Sequence, residues 1–152
     1  MPKKIFLFLC CLLPWFLNNI IPLNYNYYKE IKLPFFAPPS YFYGIIWPII
    51  YILIAISVYN IVSSLRWKEI PNNYKIILLI NYIFNQSYTI IFFGLKNNFL
   101  AFISCLGTLI TSIFLKEETS LMNNKISKIL VPYILLSIFA TILSLSIYLY
   151  NV

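Results

Sequence analysis

The chain has no histidine and no aspartate, and its 152 residues include only three glycines and three cysteines. Without histidine, imidazole acid–base catalysis and histidine-held metal sites are excluded. The acidic complement is four glutamates, and two of them, Glu117 and Glu118, sit side by side among lysines, where they serve to solvate a helix end. No carboxylate pair lies within an apolar run, and no glycine-rich phosphate loop or nucleophile elbow is present, so no catalytic residue is assigned. Charge is scarce as well: Asp, Glu, Lys and Arg make up 10% of the residues, against about 25% in an average soluble domain. That is too little to cover a water-facing surface, which excludes most soluble folds and a disordered tail. Cys10, Cys11 and Cys105 are odd in number and lie in apolar stretches, which makes no disulfide framework. They read as small apolar residues, and no metal site is expected.

What is present is apolar and aromatic: 61% hydrophobic residues and 19% aromatic, with a mean hydropathy of +0.83. A membrane-crossing helix needs about 20 mostly apolar residues. Five runs approach or reach that length: residues 5–23, 41–65, 76–95, 99–115 and 129–150. None contains Lys, Arg, Asp or Glu. Backbone polar groups are costly to leave unpaired in lipid, so each run is expected to be helical. The first run follows Lys3 and Lys4 like a signal peptide, but Pro22, Leu23, Asn24 and Tyr25 are poor neighbours for a cleavage site. An uncleaved first helix is the expectation. The fold class is then an all-α membrane protein, a bundle of five transmembrane helices in a single domain over residues 1–152.

The net charge of +7 does not point to nucleic acid, because the basic residues are scattered between apolar runs instead of forming a patch. They do set an orientation. Lys3, Lys4, Arg66, Lys68, Lys75, Lys116, Lys125 and Lys128 fall on the N-terminal side; Lys29, Lys32 and Lys96 fall on the other. This places the N-terminus in the cytoplasm, and the C-terminus and the loop 24–40 outside. The short N-terminus and the skew toward Ile, Asn, Lys, Tyr and Phe point to a bacterial plasma membrane. Tyr25, Tyr27, Tyr28, Tyr41, Tyr43, Trp67, Tyr74, Tyr148 and Tyr150 lie near run ends, as an interfacial belt requires. Trp47, Tyr51, Tyr82 and Tyr88 sit deeper.

Polar residues inside the runs share helix faces. Asn81, Asn85 and Tyr88 follow i, i+4, i+7 spacing, with Gln86 and Ser87 beside them. Ser137, Thr141, Ser144 and Tyr148 repeat the pattern, and Thr108, Thr111 and Ser112 mark the fourth run. Such faces should point into the bundle. They serve either as interhelical hydrogen bonds or as polar anchors in a ligand pocket, and spacing alone favours the former. Intramembrane charges would mark ion or proton paths; their absence argues against an ion pump. The loop Leu33-Pro34-Phe35-Phe36-Ala37-Pro38-Pro39 carries three prolines, which fix φ and stiffen it. It suits a lid over the bundle mouth, or a rigid connector with interfacial aromatics.

These residues resemble the TspO/MBR family, the tryptophan-rich sensory proteins related to the mitochondrial translocator protein. The family's loop has an aromatic pair, then Lys-Pro-x-Trp-x-Pro-Pro, then Trp and Leu-Tyr. Tyr27-Tyr28, Pro34, Phe36, Pro38-Pro39, Trp47 and Tyr51 take the matching places. Phe84-Asn85 and Phe92-Phe93-Gly94 match the third helix; Pro132-Tyr133, Phe139-Ala140-Thr141 and Leu143-Ser144 match the fifth. The resemblance runs from about Tyr27 to the C-terminus. It implies a five-helix bundle with a pocket open toward the first external loop, for porphyrins or other tetrapyrroles, sterols or benzodiazepine-like molecules, and with no required cofactor. By position the pocket lining is Gly44, Ile46, Trp47, Asn85, Tyr88, Leu100, Ala140 and Leu143, and the lid is Phe36, Pro38 and Pro39. A sensory or transport role is implied, with export of tetrapyrroles or sterol-like molecules and light-dependent porphyrin breakdown as alternatives. The chain departs from the family at Leu33, Phe36, Tyr88, Leu100 and Leu136, where the family has lysine at the first and tryptophan at the rest. Of the tryptophan pair credited with porphyrin breakdown only Trp47 remains, so a binding protein is expected over an enzyme. The resemblance allows a homodimer, although Ile76 and Ile80 stand where a stripe of small residues would favour one.

Overall fold

A computed structural model describes residues 2–20 and 26–152 of the chain. Among these residues every regular element is helical. Helix α1 (Pro2–Leu12) continues as a 3-10 segment, Leu13–Ile20. A short turn, α2 (Tyr27–Glu30), opens the first long loop, and α3 (Ser40–Ser64) follows it. Helix α4 (Asn72–Thr89) ends in a wide π-turn, Ile90–Gly94. After α5 (Asn98–Met122) come the short α6 (Asn124–Ser127), a 3-10 turn (Lys128–Leu130) and α7 (Val131–Tyr150).

The ends of these helices follow from local chemistry. Asn97 caps α5 by accepting from the Leu100 amide at 2.9 Å, and Asn123 caps α6 by accepting from Lys125 and Ile126, as short side-chain oxygens do at helix starts. Pro132 enters α7 in its first turn, where a missing N–H costs nothing. Pro14 has the opposite effect. It lies in the first run and coincides with the tightening from α to 3-10 geometry.

Among the described residues, four stretches are long and apolar enough to cross a membrane: Ser40–Ser64, Asn72–Gly94, Asn98–Met122 and Asn124–Tyr150. The expected first span is helical through Ile20, but in two segments, and residues 21–23 lie outside those described. The expected fourth span, 99–115, is too short. Helix α5 carries on through Lys116, Glu117 and Glu118 to Met122, because these side chains favour helix as strongly as the apolar ones before them. Apolarity ends there; the helix does not.

Packing is strongest along α4–α5 and α5–α7. Gly107 permits the close approach of α4 and α5, since a Cβ there would lie 2.5 Å from the Phe84 ring. The first segment runs antiparallel to α3: Phe8 meets Tyr59 at 5.9 Å, and Phe16 meets Tyr51 at 5.5 Å between ring centres. One core gathers Trp15, Ile54, Ile61, Tyr74, Leu115 and Tyr133; a second gathers Tyr27, Tyr28, Phe92, Ala101, Leu143 and Ile147. Around them Ile45, Ile49, Leu79, Ile83, Leu135 and Ile142 are exposed, the surface expected of a bundle solvated by lipid tails.

Contacts also sort the loops by end. Tyr27 donates to Asn98 at 3.1 Å, Lys96 pairs with Glu30 at 3.1 Å, and Asn151 binds Lys32. The loop after residue 25, the α4–α5 turn and the C-terminus therefore share one end of the bundle. Ile61, Ile70, Leu115 and Leu130 come together toward the other.

Candidate functional site

Between the two cores lies a cavity of about 510 Å³. Its walls come from every long element. Helix α3 supplies Tyr43, Gly44, Trp47, Pro48 and Tyr51; α4 with its π-turn supplies Asn85, Tyr88, Phe92 and Phe93; α5 supplies Cys105 and Thr108; α7 supplies Ser137, Ala140 and Leu143. The first segment adds Trp15, Phe16 and Asn18.

Aromatic faces dominate these walls. Tyr51 stands between two tryptophans, 5.7 Å from Trp15 and 5.9 Å from Trp47. Tyr88 stacks on Phe92 at 5.5 Å with the rings only 9° from parallel. That offset pair comes from i, i+4 spacing carried across the junction of α-helix and π-turn. The π-turn ends on the bond from the Leu95 amide to the Ile90 carbonyl at 3.0 Å, and the Asn97 amide closes the following bend by bonding Ile91 at 3.3 Å. Lys96, at φ +52°, reverses the chain just after it.

A polar ladder crosses the floor of the cavity. Tyr51 Oη donates to Asn85 Oδ1 at 3.2 Å, Asn85 Nδ2 donates to Tyr133 Oη at 3.2 Å, and Tyr133 Oη donates to Asn81 Oδ1 at 3.0 Å. Asn81 Nδ2 then donates to the Thr108 carbonyl at 3.2 Å and to Thr111 Oγ1 at 2.9 Å. Four helices are joined by one chain of hydrogen bonds. The two readings of the polar face are thereby separated: Asn81, fully buried, ties helices together, while Asn85 does so and also faces the cavity. On α7, Ser137 and Thr141 turn back to their own helix, bonding the carbonyls of Tyr133 and Ser137. Gln86 faces the first segment, donating to the Trp15 carbonyl at 3.2 Å, and Asn18 donates to the Gln86 carbonyl at 2.9 Å.

A strap, residues 26–39, covers the end of the bundle at which the cavity opens. Tyr28 Oη donates to the Pro38 carbonyl at 2.9 Å and lies 3.1 Å from Tyr43 Oη. Burial pushes the Tyr28 phenol above the usual tyrosine range, while its bond to Tyr43 pulls the other way. Lys32 and Asn151 clasp each other through two 2.9 Å bonds at the outer edge.

Six of the eight expected lining residues face this cavity: Gly44, Trp47, Asn85, Tyr88, Ala140 and Leu143. Two do not. Ile46 lies on the α3 face formed with Phe42 and Ile50, which lines a separate apolar groove against α7, because one residue along a helix turns the side chain by about 100°. Leu100 is exposed; the buried face of α5 begins one residue later, at Ala101. The expected lid residues Phe36, Pro38 and Pro39 brace the strap and do not line the cavity: Phe36 meets Phe139 at 6.4 Å, and Pro38 holds Tyr28. Tyr28 itself, buried, lines the cavity together with the exposed Asn26 and Lys29. Sequence reasoning missed Trp15, Phe16 and Asn18. The signal was present in Trp15 and Asn18, a tryptophan and an amide three residues apart in a run whose one other amide is Asn19.

The chain matches the TspO/MBR family over residues 6–149. It is 36% identical over 132 residues to the tryptophan-rich protein TspO of Bacillus cereus, covering 87% of this chain and 85% of that one. Identity to the membrane protein YtaB of Bacillus subtilis is 34% over 128 residues, covering 84% and 82%. The tryptophan-rich protein TspO of Archaeoglobus fulgidus is 29% identical over 126 residues, covering 83% and 80%. A helical bundle with four apolar spans, matched to one family over nearly its whole length, is an integral membrane protein belonging to the TspO/MBR family.

Proposed function

We propose that the cavity binds porphyrins or similar flat apolar molecules, and that the protein senses or carries them. The observation that supports this most is the wall itself: aromatic faces from Trp15, Trp47, Tyr51, Tyr88 and Phe92 around about 510 Å³, with Asn85 as an orienting amide. Flat ring systems stack on such faces, and a few fixed polar groups in an apolar pocket set their orientation. The first segment completes a five-helix bundle in this reading, since it packs antiparallel along α3 and closes one side of the cavity. In the same reading, the basic residues at the α3–α4 turn and around α6 support a cytoplasmic placement of that end and of the N-terminus, with the strap and C-terminus on the outer side of a bacterial plasma membrane.

Titration with protoporphyrin IX tests the reading. Saturable quenching of tryptophan fluorescence is expected at micromolar ligand, and Trp47→Ala should weaken it. Quenching that does not saturate, or that is unchanged in Trp47→Ala, overturns it. Flux of the ligand across liposomes carrying the protein separates transport from binding alone.

A second reading, light-driven breakdown of bound porphyrin by oxygen, gains support from Trp15. Although Leu136 lines the outer groove, Trp15 brings a second indole to the cavity beside Trp47. Loss of porphyrin absorbance under illumination, set against a dark control and against Trp15→Phe, decides it.

A further inference from the structure

Pro48 is the one proline inside α3, and it lies in the middle of a 25-residue helix. Proline has no N–H, so the carbonyl one turn earlier, that of Gly44, receives no helical hydrogen bond. In a membrane such an acceptor must find another donor. Gly44, Trp47, Pro48 and Tyr51 all face the cavity, so the freed carbonyl lies on the cavity side of α3. The polar side chains nearest in the helix are engaged elsewhere: Tyr43 Oη with Tyr28 Oη, and Tyr51 Oη with Asn85. There is also room. A Cβ built on Gly44 would meet no atom within 4 Å, and the residue is exposed.

We propose that the Gly44 carbonyl, released by Pro48, is a hydrogen-bond acceptor for the bound ligand, and that it selects flat apolar molecules carrying an N–H or O–H at their rim. This rests on the cavity being the ligand site and adds a polar criterion to it. The floor contributes Asn85, whose amide is held by Tyr51 and Tyr133; the Gly44 carbonyl is an acceptor near the mouth. A ligand long enough to reach from one to the other is oriented at both ends.

The test uses two planar tricycles of nearly the same shape, carbazole with a rim N–H and fluorene with CH2 in its place. Both are titrated into the full-length protein in nanodiscs, beside Pro48→Ala and Pro48→Leu. Each substitution puts back the amide that satisfies the Gly44 carbonyl, and each favours helix over proline, so folding is not at risk. A net hydrogen bond makes the carbazole-to-fluorene preference roughly fivefold greater in the native protein than in either variant. The same preference in all three proteins overturns the proposal, as does an equal weakening of both tricycles, which would mean that Pro48 only shapes the wall. If neither tricycle binds the native protein, the cavity reading itself fails.

Discussion

Asn151 holds Lys32 by both backbone groups. Its Oδ1 accepts from the Lys32 amide and its Nδ2 donates to the Lys32 carbonyl, each at 2.9 Å. The last turn of α7 is thus fastened to the middle of the strap. Asn151→Ala removes both bonds, and with them the Nδ2 bond to the Ile147 carbonyl at 2.8 Å, at a half-buried position just past the end of α7. Amide hydrogen exchange over residues 26–39 should quicken several-fold, and ligand should leave faster, with the melting temperature nearly unchanged. Unaltered exchange would show that the strap is secured without Asn151.

The Tyr28 bonds have their own signature. A phenol whose pKa is raised by burial favours the fold while protonated. Its contribution is complete below about pH 10, the ordinary tyrosine value, and is lost as pH rises through the higher folded value. Thermal melts in detergent should therefore show an alkaline decline in stability. In Tyr28→Phe that decline should shrink, and the melting temperature at neutral pH should already be lower.

The polar ladder separates scaffold from site. Asn81→Leu strips Tyr133, Thr108 and Thr111 of a partner and should cost about 1–2 kcal/mol, with ligand affinity close to native in the folded fraction. Asn85→Leu should cost a similar amount and also weaken binding, because Asn85 faces the cavity. Melting and titration of the two variants side by side check the distinction.

Gly107→Ala would press a methyl group into the Phe84 ring, from which a Cβ stands 2.5 Å away. Overpacking of this kind costs about 1–3 kcal/mol. The double variant Gly107→Ala with Phe84→Leu should recover part of the loss, since the ring is the obstacle. Strict additivity of the two changes would locate the strain elsewhere.

Much of this was legible in the sequence, for identifiable reasons. Lipid forces helices, so four of the five apolar runs free of charge located spans of the bundle. Period 3.6 placed Asn81, Asn85 and Tyr88 on one buried face. What periodicity could not decide was phase to a single residue: Ile46 and Trp47, or Leu100 and Ala101, differ by one position and face different surroundings. The π-turn was also hidden, because Ile90–Gly94 looks like ordinary helix in composition. The length of α5 was misjudged because hydropathy ends at Leu115 while helix propensity does not. Trp15 is hard to place from sequence because residues 5–23 have the composition of either a membrane span or a leader, and neither points to a cavity.

That segment has a further consequence. Trp15, Phe16 and Asn18 form one side of the cavity, and Asn18 and the Trp15 carbonyl are bonded to Gln86 on α4. A peptidase that cut after the first segment would leave a trough open to acyl chains along α3 and α4. Gln86 would then face hydrocarbon without its partners. The N-terminal segment therefore works as a structural gasket, and its removal should abolish ligand retention even where the remaining helices still insert.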